Sequence, residues 1–351
     1  MANWLEALKE RFPIDIDDML REFGSEPIPG HLKRWWFALG GTPAYLFMIQ
    51  AITGILLTFY YVPAPDQAYE SVKFIREQLP FGWYIRSLHY WCSHLLIASI
   101  ILHMMRVYFT GAYRKPREFT WITGFVLLVL MMVMGFTGYS LVYEQLSYWG
   151  ATVAGNLTES VPIIGPIIAH FIRGGPEIGA NTLTRFYIFH IAGIPTLIVL
   201  FLALHITLIR LHGVTPLVDE AGRPEDRQTF PFFPDHFLTE LAIGLILMII
   251  LTVLACIFPA GLAEKANPLV TPEHIKPEWY FLFTFRWLKL TGLTFALLSI
   301  GFFAFLAMVW PWIDGFWRKR HPKSEASTWI GVLAVLTLIG LTLWEVLSHG
   351  G

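Results

Sequence analysis

Seven stretches of the chain are apolar over about twenty residues or more, the length an α-helix needs to cross a hydrocarbon core of about 30 Å. They run over about 36–62, 83–109, 119–141, 183–209, 237–259, 292–313 and 328–347, and are called A to G in chain order. The pattern predicts an all-α membrane protein with seven transmembrane helices, embedded in membrane lipid. Polar positions mark the connections. B–C is short and basic (RVYFTGAYRKPREF), and F–G carries RKRHPK. C–D is long and includes VPIIGPIIAHFIRGG, too short to span. E–F is long and proline-rich from Pro259 to Lys289. Long ordered loops are usually functional. Residues 214–234 are polar with Pro and Gly, and read as a linker. The chain therefore divides into an N-terminal segment (1–35), a four-helix part (36–213), this linker, and a three-helix part (235–351). In the first segment, Trp4, Leu5, Leu8 and Phe12 recur at roughly helical spacing among charges. An amphipathic helix on the membrane surface and an ordinary solvated one fit this equally. Acidic residues from Glu6 onward argue against a signal peptide.

Composition agrees. Hydrophobic residues make up 55% of the chain and charged ones 15%, against about 25% charged in soluble domains. A net charge of −1 points to no nucleic-acid partner. The two cysteines, Cys92 and Cys256, both lie in apolar runs, and no CxxC or CxxCH occurs. This excludes a cysteine-ligated iron–sulfur cluster, a zinc site of the usual spacing and a c-type haem attached in the usual way. Lys and Arg concentrate in the N-terminal segment and in B–C and F–G. The positive-inside rule then puts the N-terminus on the cytoplasmic side. The C–D and E–F loops share the opposite, positive face.

Helix B carries three histidines in HYWCSHLLIASIILH, and histidine inside a membrane is a functional hypothesis by default. His89 and His103 are 14 apart, about 40° short of four helical turns and about 21 Å along the axis. They share a face, one towards each surface. His94 is about 140° from His89 and about 180° from His103, so it reads as a bystander. On helix D, His190 and His205 are 15 apart, about 60° past four turns. B and D run the same way, so His89 can face His190 and His103 can face His205. Two facing histidines with no carboxylate or cysteine beside them suit six-coordinate haem iron. Zinc normally wants three or four protein ligands. Two such pairs imply two noncovalent b-type haems, each His pair holding one iron. Gly40 and Gly54 on A, and Gly124 and Gly138 on C, are again 14 apart. Glycine lets a macrocycle approach backbone, although routine helix packing uses it too. Arg86 and Arg106 bracket the B histidines within one turn, placed to pair haem propionates or to snorkel.

These residues resemble the cytochrome b subunit of the cytochrome bc/b6f quinol oxidases. FGWYIRSLH, TGAYRKPREFTWITG, FTGYS, TLTRFYIFH and PEWY at 277–280 carry the likeness. The 15-residue spacing on D, PREFTW and three helices after D are most similar to cytochrome b6 joined to subunit IV. The resemblance implies a quinol oxidation site on the positive face, built by the end of C and the C–D and E–F loops. Pro277, Glu278, Trp279, Tyr280 and Tyr143 would line it, with Glu278 taking a proton and Tyr280 beside it. A partly desolvated carboxylate suits general-base work. It also implies a Rieske iron–sulfur protein and a c-type cytochrome as partners in a dimeric, proton-translocating complex of a bacterial inner membrane. A quinone near the negative face would be reduced beside Arg210 and Asp18 or its neighbour Asp17. Three departures stand out. Ala38 occupies the place of the cysteine that holds a third haem covalently, so no covalent haem is expected there. Val142 and Tyr143 replace the usual Pro-Trp. Tyr90 stands where an arginine is common. A different dihaem cytochrome b, anchoring a dehydrogenase, would account for the histidines but not for PEWY or helices E to G. A transporter or channel with structural histidines is the third reading.

Overall fold

The computed structural model describes residues 24–25, 27–33, 39–215, 229–273 and 275–348. Asp17, Asp18 and Ala38, and with them the expectations for the quinone carboxylate and the third haem, lie outside the described residues, as do Trp4, Leu5, Leu8 and Phe12 of the amphipathic segment.

Two short strands, β1 (Pro27–Pro29) and β2 (Thr229–Pro231), pair antiparallel with Ile28 opposite Phe230. The helices follow. They are α1 (Gly41–Thr58), α2 (Ala68–Glu77), α3 (Gly82–Phe109), α4 (Glu118–Leu141), α5 (Gln145–Glu159), α6 (Gly165–Arg173) and α7 (Ala180–Ile188). A π-helical turn at Phe189–Gly193 joins α7 to α8 (Ile194–His212). The rest are α9 (Phe237–Ile257), α10 (Leu282–Thr291), α11 (Leu293–Arg320) and α12 (Ala326–Leu347). Among the described residues, seven helical segments are long and apolar enough to cross a membrane, and they coincide with runs A to G. Helix α11 continues to Arg320, beyond the apolar run, because RKR at a helix C-terminus complements the helix dipole.

Successive spans alternate in direction. The connections 59–81, 142–179 and 258–292 therefore meet at one end of the bundle. There, Lys265 Nζ is 3.1 Å from Glu70 Oε1, and the Gln145 N–H donates to the Glu264 carbonyl (2.8 Å). At the other end Arg114 Nε is 2.9 Å from Asp314 Oδ2, and Arg117 donates to the carbonyls of His212 and Gly213.

Helix α1 packs on α3, α4 on α8, α9 on both α1 and α3, and α11 on α4. One buried cluster joins Leu46, Ile49, Leu88, Cys92, Leu96, Met131, Ile194 and Ile198 to Leu251 and Ala255 of α9. The core is thus shared across the linker. Most other apolar side chains, such as Ile249 and Leu333, face outward. That is stable only against lipid, where helices satisfy their own backbone groups.

Candidate functional site

The rings of His89 and His190 face each other with centroids 6.3 Å apart and planes at 72°. Two imidazoles keep about this separation when one metal ion between them binds each nitrogen at about 2 Å. The Thr53 hydroxyl donates to the Ile49 carbonyl (2.7 Å), so it accepts from His89 Nδ1–H at 2.9 Å. Thr137 likewise donates to Val133 O and accepts from His190 Nδ1–H (3.0 Å). Thr123 donates to Thr120 O and accepts from His205 Nδ1–H (2.8 Å). A proton held on Nδ1 leaves the Nε2 lone pair for a metal. His103 lies within electrostatic reach of His205. Its Nδ1 is 3.4 Å from Arg106 Nη2, and the residue before its glycine is Leu39 rather than a threonine.

The four glycines meet the histidine rings themselves. A Cβ at Gly138 would lie 2.7 Å from His190 Cε1, at Gly54 3.2 Å from His89 Cε1, at Gly124 3.2 Å from His205 Cε1, and at Gly40 3.8 Å from His103 Cε1. Each glycine lets an imidazole edge reach helix backbone. The donor set fits bis-histidine haem. Among the described residues no group of three or more His, Cys, Asp or Glu side chains could hold a metal ion.

The π turn explains the unequal histidine spacing. His190 sits inside Phe189–Gly193. A π turn absorbs one extra residue, so 15 residues on this helix have the phase that 14 have on α3. The apparent offset of about 100° between the two spacings disappears, which leaves His205 in the phase towards His103 that His190 has towards His89.

At the end of the bundle nearer His89, a cavity of about 430 Å³ opens beside the long loop after α9. Tyr90, Trp91 and His94 of α3 line it, with Tyr139, Glu144, Pro277, Glu278 and Trp279. The loop is pinned there. Trp91 Nε1 donates to Phe258 O (2.7 Å), the Ala260 N–H to Ser87 Oγ (3.0 Å), and the Ala263 N–H to Glu144 Oε2 (2.9 Å). Burial first, and the nearby Glu144 charge second, push the Glu278 carboxyl above the usual carboxylate range. That makes it able to hold or release a proton nearer neutrality.

Three expected site residues stand elsewhere than the sequence suggested. Arg86 Nη1 and Nη2 donate to the carbonyls of Ala260 (2.6 Å) and Gly261 (2.7 Å), so its guanidinium clasps the loop. Tyr143 lines a separate small cleft with Tyr148 and Phe186, because a left-handed backbone (φ 56°) at the turn after α4 swings it off the main cavity. Glu144 takes the wall position instead. Tyr280 is buried behind the wall, its hydroxyl against Gly135. Burial and the Glu278 charge hold its phenol well above the usual range. Arg106 stays beside His103, and Arg210 is exposed in the last turn of α8. Sequence reasoning missed Thr53, Thr123 and Thr137, although each immediately precedes a ring-facing glycine. It also missed Glu144, and it left His94 without a role.

Two family models match, cytochrome b/b6/petB over residues 23–213 and cytochrome b(C-terminal)/b6/petD over residues 265–347. The chain belongs to the cytochrome b family. A cytochrome bc complex cytochrome b subunit of Chlorobaculum thiosulfatiphilum is 37% identical over 97% of this chain and 79% of the relative. Cytochrome b6 of Heliomicrobium gestii is 41% identical over 61% of this chain and 98% of its own. A solved structure named as a hyperthermophilic respiratory Complex III superposes with a TM-score of 0.82 at 25% identity, covering 99% of this chain and 92% of that one. The protein is therefore an integral membrane, electron-transport cytochrome b, an oxidoreductase subunit of a multisubunit bc-type complex. Membership of the family implies b-type haem, which the histidine geometry fits.

Proposed function

We propose that the protein oxidises quinol in the cavity at the positive face and returns electrons to a quinone near the negative face. Quinol enters between α3 and the long loop, and Glu278 accepts a proton from its hydroxyl. Tyr280, buried as a neutral phenol, closes the wall behind and keeps water out. His89 and His190 would hold one b-type haem and His103 and His205 a second, and when bound these supply one-electron transfer across the bilayer. One electron of each pair leaves to a Rieske iron–sulfur partner and on to a c-type cytochrome, while the other crosses to a quinone beside Arg210. Moving one charge against 100 mV costs about 2.3 kcal/mol, so this route couples oxidation to proton translocation. The excess of Lys and Arg at the N-terminus, B–C and F–G supports a cytoplasmic N-terminus in a bacterial inner membrane.

The observation that carries this reading is a carboxyl of raised proton affinity, Glu278, in a cavity beside the end of α3 that bears His89. The test is the reduced-minus-oxidised spectrum and turnover of the purified complex. Glu278→Gln keeps both b-haem bands and slows quinol oxidation by at least about a hundredfold, the usual lower bound for general acid–base catalysis. Two haems with unimpaired quinol oxidation in that variant would point instead to a dihaem anchor.

A further inference from the structure

His94 is not a haem ligand on helical phase, yet it is no bystander. Its Nδ1 lies 3.0 Å from the indole Nε1 of Trp279, on the loop across the cavity. An indole N–H only donates, so Nδ1 of His94 accepts and the ring's one proton sits on Nε2. This is the reverse of His89, His190 and His205, whose Nδ1 protons go to threonine hydroxyls. Those three keep a lone pair for a metal; His94 keeps an N–H to give. The other neighbours of its ring are aromatic: Tyr90 at 4.6 Å, Trp91 at 5.9 Å and Tyr280 at 6.4 Å between centroids. Among the described residues nothing bonds Nε2, and the residue lines the same cavity as Glu278. A membrane-embedded N–H without a protein partner has a use where a ligand oxygen meets it.

We propose that His94 is a substrate-binding residue, donating its Nε2–H to an oxygen of the quinol or quinone in this cavity. The inference rests on the cavity being the quinol site. It adds the complement of Glu278: the carboxylate accepts the hydroxyl proton while the imidazole donates to an oxygen lone pair. A hydroxyl has capacity for both. Trp279 acts as a positioning residue, because its indole fixes the His94 tautomer.

The test uses the intact complex with duroquinol as donor and a soluble c-type cytochrome as oxidant, in His94→Leu, His94→Gln and Glu278→Gln. Losing one neutral hydrogen bond raises KM for duroquinol about three- to tenfold in His94→Leu. Its kcat stays within about twofold, since the contact serves bound substrate, and both haem bands remain. His94→Gln, whose amide can accept from Trp279 and donate to the ligand, recovers most of the loss. An unchanged KM in His94→Leu overturns the proposal. So does a fall confined to kcat, which would mean that the imidazole merely holds the loop, or a Gln variant no better than Leu. In each of these cases a slow Glu278→Gln still marks the cavity as the quinol site. If Glu278→Gln turns over normally, the reading of the cavity itself fails, and the His94 assignment with it.

Discussion

Two carboxyls, Glu278 and Glu144, share the cavity proposed for quinol, and the repulsion between them has a measurable sign. Burial and the Glu144 charge raise the proton affinity of Glu278. Only ionised Glu278 can accept a proton, so quinol oxidation rises with pH as it ionises, along an acid limb above the ordinary glutamate value of about 4.3. Glu144→Gln keeps an acceptor for the Ala263 N–H but removes the charge. The acid limb of kcat/KM then moves to lower pH; a limb that stays or moves upward refutes the coupling. The four ring-facing glycines give a second, graded outcome. Substitution by alanine introduces a Cβ at 2.7 Å from its histidine at Gly138, 3.2 Å at Gly54 and Gly124, and 3.8 Å at Gly40. Gly138→Ala loses bound haem, Gly54→Ala and Gly124→Ala show partial loss, and Gly40→Ala is tolerated. Haem per chain, measured as absorbance of the extracted haemochrome, checks the order.

At the scale of elements, the π turn in the Ala180–His212 span sets the phase between His190 and His205. Deleting Ala192 removes the extra residue and leaves an α-helix. His190 and His205 are then 14 apart in plain α-helix, the spacing and phase of His89 and His103, so both histidines of this span keep facing their partners. Both b-haem bands persist in the optical spectrum. Loss of one haem in the deletion variant would refute the compensation of the extra residue by the π turn. The neighbouring helices carry the same logic in a simpler form. The Thr-Gly steps of α1 and α4 place an acceptor for Nδ1 and a gap for the ring one residue apart. The exception, Leu39-Gly40, leaves His103 beside Arg106 instead.

At the scale of the molecule, the long loop is held by contacts separated by more than 160 residues in sequence. Arg86 grips the carbonyls of Ala260 and Gly261, and Trp91 grips Phe258. Arg86→Leu should release the loop, cutting quinol oxidation strongly while both haem bands persist. If haem is lost instead, Arg86 serves the cofactor and not the loop. Buried carboxylates fasten the rest. Asp314, 0% exposed at its side chain, pairs with Arg114 and Arg318 and accepts from Ser327, and Glu345 pairs with Arg286 and Lys289. These tie α11 and α12 to the B–C turn and to α10. Breaking such a pair by removing one partner leaves an uncompensated charge, which is strongly destabilising.

The seven spans, their alternation and the facing of His89 with His190 followed from local physics. Hydrocarbon demands long apolar helices, and helical periodicity puts residues 14 apart on one face. The Pro277–Tyr280 segment was likewise legible as a motif. What tertiary structure alone decided are contacts between segments far apart in sequence. No periodicity predicts that Arg86 meets residue 260, that a left-handed turn exchanges Tyr143 for Glu144 at the cavity wall, or that Trp279 reaches His94. The π turn lies between the two classes: Pro195, in the first turn of α8, removes a backbone donor locally, and the turn also packs against α4. The line of histidines through the membrane was written along single helices; the cavity beside it exists only where α3, the end of α4 and two long loops meet.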